Sequence, residues 1–222
     1  MSEQEWLSCD DPAAMLDYLV LTDGSTRIND RMLRLFACAC CRRIWDKLTD
    51  ARSREVVETV EQFADGAVSM TELEGSGKSA RGAVMEAGAA GWDAWEEYTN
   101  RNIAWAVHWA DPYEAARGVV EYSSRCADWD AVRRPQVHIL QDIVGNPFQT
   151  WTVQPQWKTP SVRQLAQTIY ETRQFATMPI LADALEEAGC DREEILLHCR
   201  SGEQHYRGCW LVDLLLWENR KT

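Results

Sequence analysis

Long apolar runs are missing from this 222-residue chain. No stretch reaches the ~18 to 20 apolar residues that a bilayer-crossing helix needs; Leu211-Val212-Asp213-Leu214-Leu215-Leu216-Trp217 is short and carries Asp213. A membrane span is therefore not expected. A secretory start is missing too: MSEQEWLSCDDP has no basic opening, apolar centre or small-residue cleavage site, so the cytoplasm is the expected compartment. Glycine and proline are sparse, at 12 and 7 positions, while 45% of residues are hydrophobic; that balance excludes a disordered or fibrous chain. Basic charge is short, 23 Lys and Arg against 35 Asp and Glu. The resulting net charge of −12 repels phosphates, so nucleic acid is not an expected partner of the whole molecule. Histidine is limited to four positions, and neither a nucleophile elbow nor a metalloprotease motif occurs, so no catalytic residue is assigned.

Alternating strand-like pattern is also absent over any useful length, which leaves a mainly α fold of about eight to ten helices in one bundle over 1–222. Asp10-Asp11-Pro12 starts a helix with a capping carboxylate and a first-turn proline, and Met15, Leu16, Leu19 and Val20 give it an apolar face. Further helices are expected over 29–48, 53–64 and 83–98, through Ile103 to Trp109, and from Asp111-Pro112. Thr71 to Ser79 reads as a small-residue linker. Its GSGKS imitates a phosphate-binding loop, but Glu72 stands where that loop needs glycine and no buried strand precedes it. Gly145-Asn146-Pro147, Pro155 and Pro160 then break the pattern into an irregular connector, 144–160. The stretch 145–160 is the candidate sub-boundary between an N-terminal helical part and four short helices over 161–172, 178–188, 191–200 and 205–217.

Eight cysteines in a chain of this length and expected compartment are read as reduced thiols. Three sit in FACACCRRIW. At about 100° per residue, Cys40 and Cys41 join Leu33, Phe36, Ala37, Ile44 and Leu48 on one arc, while Arg31, Arg42 and Asp46 lie opposite. Cys38 falls at the margin and is expected to be the accessible one. The second cluster, HCRSGEQHYRGCW from His198 to Trp210, offers imidazole and thiolate together. His205 and Cys209 have the one-turn spacing that puts two zinc ligands on a helix face, with Cys199 or His198, or Cys38 and Cys41 from the other cluster, completing a tetrahedron. Against a metal site, adjacent His198 and Cys199 diverge on a helix and neither cluster contains a close CxxC knuckle pair in a turn, so the simpler reading is of cysteines and histidines satisfied in a helical core. The same cluster is the seat of a thiol-enzyme alternative.

Against the acidic average, 27–54 holds Arg27, Arg31, Arg34, Arg42, Arg43, Lys47, Arg52 and Arg54 but only Asp30, Asp46 and Asp50. This stripe either meets a partner or faces the acidic run Glu55, Glu58, Glu61, Asp65, Glu72 and Glu74 of its own chain; the internal pairing is favoured. Most of the eleven tryptophans, with Trp92/Trp95 and Trp105/Trp109 at helical spacing, are expected in the core. Trp151 and Trp157, in the connector, are the expected exposed ones.

EWLSCDDPAAML, LRLFACACCRRIW, DIVGNPF, PILADALEEAGC and HCRSGEQHYRGCWLVDLLL together resemble an uncharacterised family of bacterial proteins, over most of the chain. In that family an alanine-rich, variable middle separates the cysteine helix from the NPF turn, as residues 70–130 do here. The resemblance implies no activity, cofactor or catalytic residue. The expectation is thus a non-enzymatic helical interaction or regulatory module, with another protein as partner and Arg31, Arg34, Arg42, Arg43, Trp151 and Trp157 as contact residues. Two alternatives stand: a zinc- or thiol-dependent enzyme or structural zinc protein built on Cys199, His205, Cys209 and His198, and nucleic-acid binding through the 27–54 stripe.

Overall fold

A computed structural model describes all residues except 22–27, 92–94, 126–128 and 218–222. Among the described residues the fold is all α, with twelve helices and no strand. These are α1 (Glu3–Ser8), α2 (Pro12–Leu21), α3 (Asp30–Arg43), α4 (Ala51–Ala64), α5 (Met70–Ala89), α6 (Trp95–Ala106), α7 (Pro112–Ser123), α8 (Trp129–Val144), α9 (Pro160–Thr172), α10 (Met178–Glu187), α11 (Glu193–Arg200) and α12 (Trp210–Leu216). Expectation ran to eight to ten, without counterparts of α1 or of α8, which carries Pro135 in its interior. The chain divides into two compact units, Met1–Leu140 and Gln141–Thr222, at a point inside α8.

In the first unit α3 packs against α4, α6 and α7. Asn29 caps it, its Oδ1 accepting from the Met32 N–H at 2.9 Å, and every residue from Met32 to Cys41 is buried. The helix therefore has no solvent face over that stretch, and phase cannot sort its cysteines. Cys38, expected to be accessible, is 1% exposed, with its thiol 3.7 Å from the Val57 carbonyl. Arg34 is buried with it and donates to the carbonyls of Trp109 at 3.1 Å and Ala110 at 2.9 Å.

The expected linker is helix. Ser69 caps α5 reciprocally: its Oγ accepts from the Glu72 N–H, and the Glu72 carboxylate accepts from the Ser69 N–H at 2.8 Å. Glu72, which spoils the phosphate-loop match, is thus a helix-starting residue. Gly77 is there for contact, not flexibility: a Cβ on it would meet the His108 ring at 1.9 Å. Of the Trp92/Trp95 pair expected in the core, Trp95 is 41% exposed and Trp92 lies outside the described residues.

In the second unit α9 packs against α10 and α12, and α10 against α11. Thr159 caps α9, with Pro160 at its first position. The core holds Val162, Ala166, Ile169, Leu181, Leu185, Ile195, Leu211 and Leu215, together with Trp157. Trp157 is 1% exposed, which corrects its expected place on the surface: irregular backbone between α8 and α9 is pinned by its own tryptophans. At the start of that connector Gly145 takes a left-handed φ of 71° and lies under Trp210, so the GNPF turn requires glycine both for its conformation and for the close approach. The helix expected over 205–217 begins only at Trp210, leaving 201–209 irregular.

Candidate metal centre

Four side chains of the second unit converge. Asp142 lies in the last turn of α8, His198 on α11, His205 in the irregular stretch after it, and Cys209 just before α12. One ligand atom from each lies within 4.8 Å of the others. His205 Nδ1 is 2.6 Å from Asp142 Oδ1 and 3.9 Å from Cys209 Sγ, and His198 Nε2 is 3.1 Å from Cys209 Sγ and 3.5 Å from Asp142 Oδ1. Metal–ligand bonds of about 2.0–2.3 Å in a tetrahedron set ligand atoms roughly 3.3–3.8 Å apart. The observed separations straddle that range: His198–Asp142 lies within it, His198–Cys209 and His205–Cys209 fall just to either side, and the hydrogen-bonded Asp142–His205 pair is well short of it. This Asp/His/His/Cys group is able to hold a metal ion.

The surroundings orient each member. Asp142 Oδ2 accepts from the Tyr206 backbone N–H at 2.8 Å, which leaves Oδ1 turned toward the two imidazoles. The His198 ring packs on His205 at 4.7 Å and on Trp210 at 5.0 Å between centroids. Trp210 in turn stacks on Trp151 at 5.0 Å, so the half-buried Trp151 braces the site instead of standing free in a connector.

Burial sets the protonation states. It pushes the His198 pKa down to about 4, overriding the attraction of Asp142, so His198 is neutral near neutral pH. Burial, with the Asp142 charge behind it, drives the Cys209 thiol well above the usual cysteine range, although N–H groups of Val212 and Leu211 oppose the shift. A neutral His198 and a protonated Cys209 thiol are matched as hydrogen-bond partners at 3.1 Å, and His205 Nδ1 faces Asp142 Oδ1 at 2.6 Å. A divalent cation changes that arithmetic: the Asp142 carboxylate and a Cys209 thiolate together balance its charge.

Of the residues expected here, His198, His205 and Cys209 come together and Cys199 does not. Cys199 points into the apolar core, 1% exposed, with burial pushing its thiol up to about 12. Adjacent helical positions cannot share a target, and His198 has it. The one-turn spacing of His205 and Cys209 works without the helix assumed for it. Asp142 was not singled out by its sequence context, 56 positions before His198; the available signal was one carboxylate followed directly by Ile143 and Val144, both buried. Cys38 and Cys41 belong to the first unit's core. A thiol nucleophile finds no support among the described cysteines, of which all but Cys9 are buried.

The basic stripe pairs inward. Arg31 meets Asp65 at 3.0 Å, Arg42 grips Glu61 through Nε at 3.1 Å and Nη2 at 2.7 Å, and Arg52 joins Asp50 and Glu86. With Arg34 buried, Arg43 alone of the six expected contact residues is exposed. Arg27 lies outside the described residues. No protein-family model, no curated protein and no solved structure matches this chain.

Proposed function

We propose that this chain is a non-enzymatic helical module whose C-terminal unit is held together by one structural zinc ion on Asp142, His198, His205 and Cys209. The observation that carries the reading is the convergence of four potential ligand atoms within 4.8 Å of one another in a largely buried setting. A structural role is favoured because four protein side chains fill a tetrahedral sphere, whereas catalytic zinc keeps one position for water or substrate. Zinc suits a mixed set of imidazole, thiolate and carboxylate in four-coordinate geometry; magnesium and calcium prefer oxygen alone in larger shells. Tyr206 and Trp210 supply the outer support that such ligands need.

Elemental analysis of untagged protein, purified without chelator, tests this. About one zinc per chain is expected, lost in Cys209→Ser and His205→Ala but kept in Cys199→Ser. Sub-stoichiometric zinc, with Cys209→Ser changing neither metal content nor stability, would end the proposal. The wider reading, a module that acts by binding another protein, is supported by exposed Ile180 and Leu197 on α10 and α11, 55% and 58% accessible. Affinity capture with Ile180→Asp/Leu197→Asp as control tests it: a partner retained equally by both forms argues against this face.

A further inference from the structure

Beside the metal candidates the second unit contains a cavity of about 360 Å³, between the α9–α10 corner and the stretch after α11. Met178, Cys199 and His205, each at most 5% exposed, line its inner part, and Arg173, Phe175 and Glu203 line it further out. That volume is within the range of about 300–1,000 Å³ typical of small-molecule sites, and its lining combines apolar Phe175, Met178 and Pro179 with polar Arg173, Glu203, Gln204 and His205.

Arg173 has an unusual backbone. It is the single described non-glycine residue with positive φ, at 57°, in the position after α9 where glycine or asparagine normally ends a helix. Strain of this kind is retained where a side chain is put to use, and here the strained residue is a cavity-lining cation. Glu203, also in the lining, supplies the opposite charge, and Phe175 and Met178 supply the apolar surface. A ligand complementary to this set has one anionic group, one cationic group and a compact apolar body.

We propose that the cavity binds a free α-amino acid with an apolar side chain, its carboxylate toward Arg173, its ammonium toward Glu203 and its side chain over Phe175 and Met178, with metal occupancy setting the affinity. The coupling rests on the zinc reading above. His205 is both a metal candidate and a cavity wall. The wall residues Gly202 to His205 lie outside any helix, and contacts of His205 and Tyr206 with Asp142 tie their end of the stretch down.

Calorimetric titration of the full chain, with zinc measured on the same samples, tests both parts. The probes are L-phenylalanine and L-leucine, with phenylacetate and phenethylamine as single-charge analogues. Saturable binding of the amino acids to zinc-loaded protein is expected, at least about tenfold weaker for either analogue. Glu203→Gln should weaken L-phenylalanine by a similar factor, as should Arg173→Gly, which removes the guanidinium while suiting the backbone; circular dichroism checks that both remain folded. Chelation should lower the affinity. No binding of either amino acid to loaded protein, or analogues as tight as L-phenylalanine, overturns the ligand assignment. Equal affinity before and after a measured loss of zinc overturns the coupling. Protein that holds no zinc as isolated, yet binds L-phenylalanine with the stated charge dependence, supports the cavity and refutes the zinc reading.

Discussion

Asparagine at position 142 is the most specific perturbation of the proposed centre. Asp142 Oδ1 lies 2.6 Å from His205 Nδ1 and 3.5 Å from His198 Nε2, while Oδ2 accepts from the Tyr206 N–H at 2.8 Å. Asparagine preserves the volume and keeps an oxygen for Tyr206, but turns an uncharged amide toward the metal position. Losing a buried, charge-assisted ligand costs about 3 kcal/mol, or roughly a hundredfold in zinc affinity. The consequence for folding follows by linkage: zinc at about 100 times its dissociation constant adds about 2.7 kcal/mol to the wild-type unit, but only about 0.4 kcal/mol to the weakened variant. For a unit of this size each kcal/mol moves the midpoint by about 4–8 °C, so chelation should lower the wild-type Tm by roughly 10–20 °C and that of Asp142→Asn by roughly 2–3 °C. Thermal unfolding with and without EDTA reads the shift, and competition with a chromogenic chelator reads the affinity. A wild-type midpoint indifferent to chelation, or a variant that responds as strongly as wild type, refutes the reasoning.

Other outcomes follow from the same geometry. Because the folded pKa of His198, about 4, lies below its ordinary 6.5, the unfolded chain binds the extra proton between those values. Metal-free protein should therefore keep this contribution above about pH 6.5 and lose up to about 3 kcal/mol as pH falls to about 4; urea midpoints at pH 7 and 4.5 should show a smaller loss in His198→Gln. Gly77→Ala drives a Cβ into the His108 ring and should destabilise by about 1–3 kcal/mol, whereas Gly75→Ala, with open space around it, should stabilise by up to about 1 kcal/mol in the same denaturation assay. Arg42→Met removes the paired guanidinium from the buried carboxylate of Glu61, 3% exposed, and should cost up to about 3 kcal/mol, with part of that recovered in the Arg42→Met/Glu61→Leu double variant. Native iodoacetamide labelling read by mass spectrometry should leave Cys38, Cys40, Cys41, Cys199 and Cys209 unmodified while Cys9 reacts; early labelling of Cys38 would contradict its burial.

Helices whose ends carry their own chemistry were legible: Asp11-Pro12 and Asp111-Pro112 mark starts that α2 and α7 adopt. Two features were opaque for different reasons. In α3 amphipathic phase loses meaning because neighbours cover the whole circumference, so Cys38 and Arg34 are as buried as Cys41. In 71–79 glycine and serine look like slack, but a helix packed closely against a histidine ring needs the same small residues. At the metal candidates, local spacing pointed to His205 and Cys209, whereas Asp142 offered only its place before two apolar residues. Its role arises from tertiary proximity, which a single sequence without aligned relatives does not encode in readable form.

The Asp142–His205 contact spans 63 positions of chain. A metal ion bridging those residues acts as a cross-link, and closing a loop of that length restricts the unfolded ensemble by roughly 4 kcal/mol in chain-entropy terms. A disulfide of equal span would need an oxidising environment to persist. A metal bridge has no such requirement, and its strength instead follows the supply of the ion.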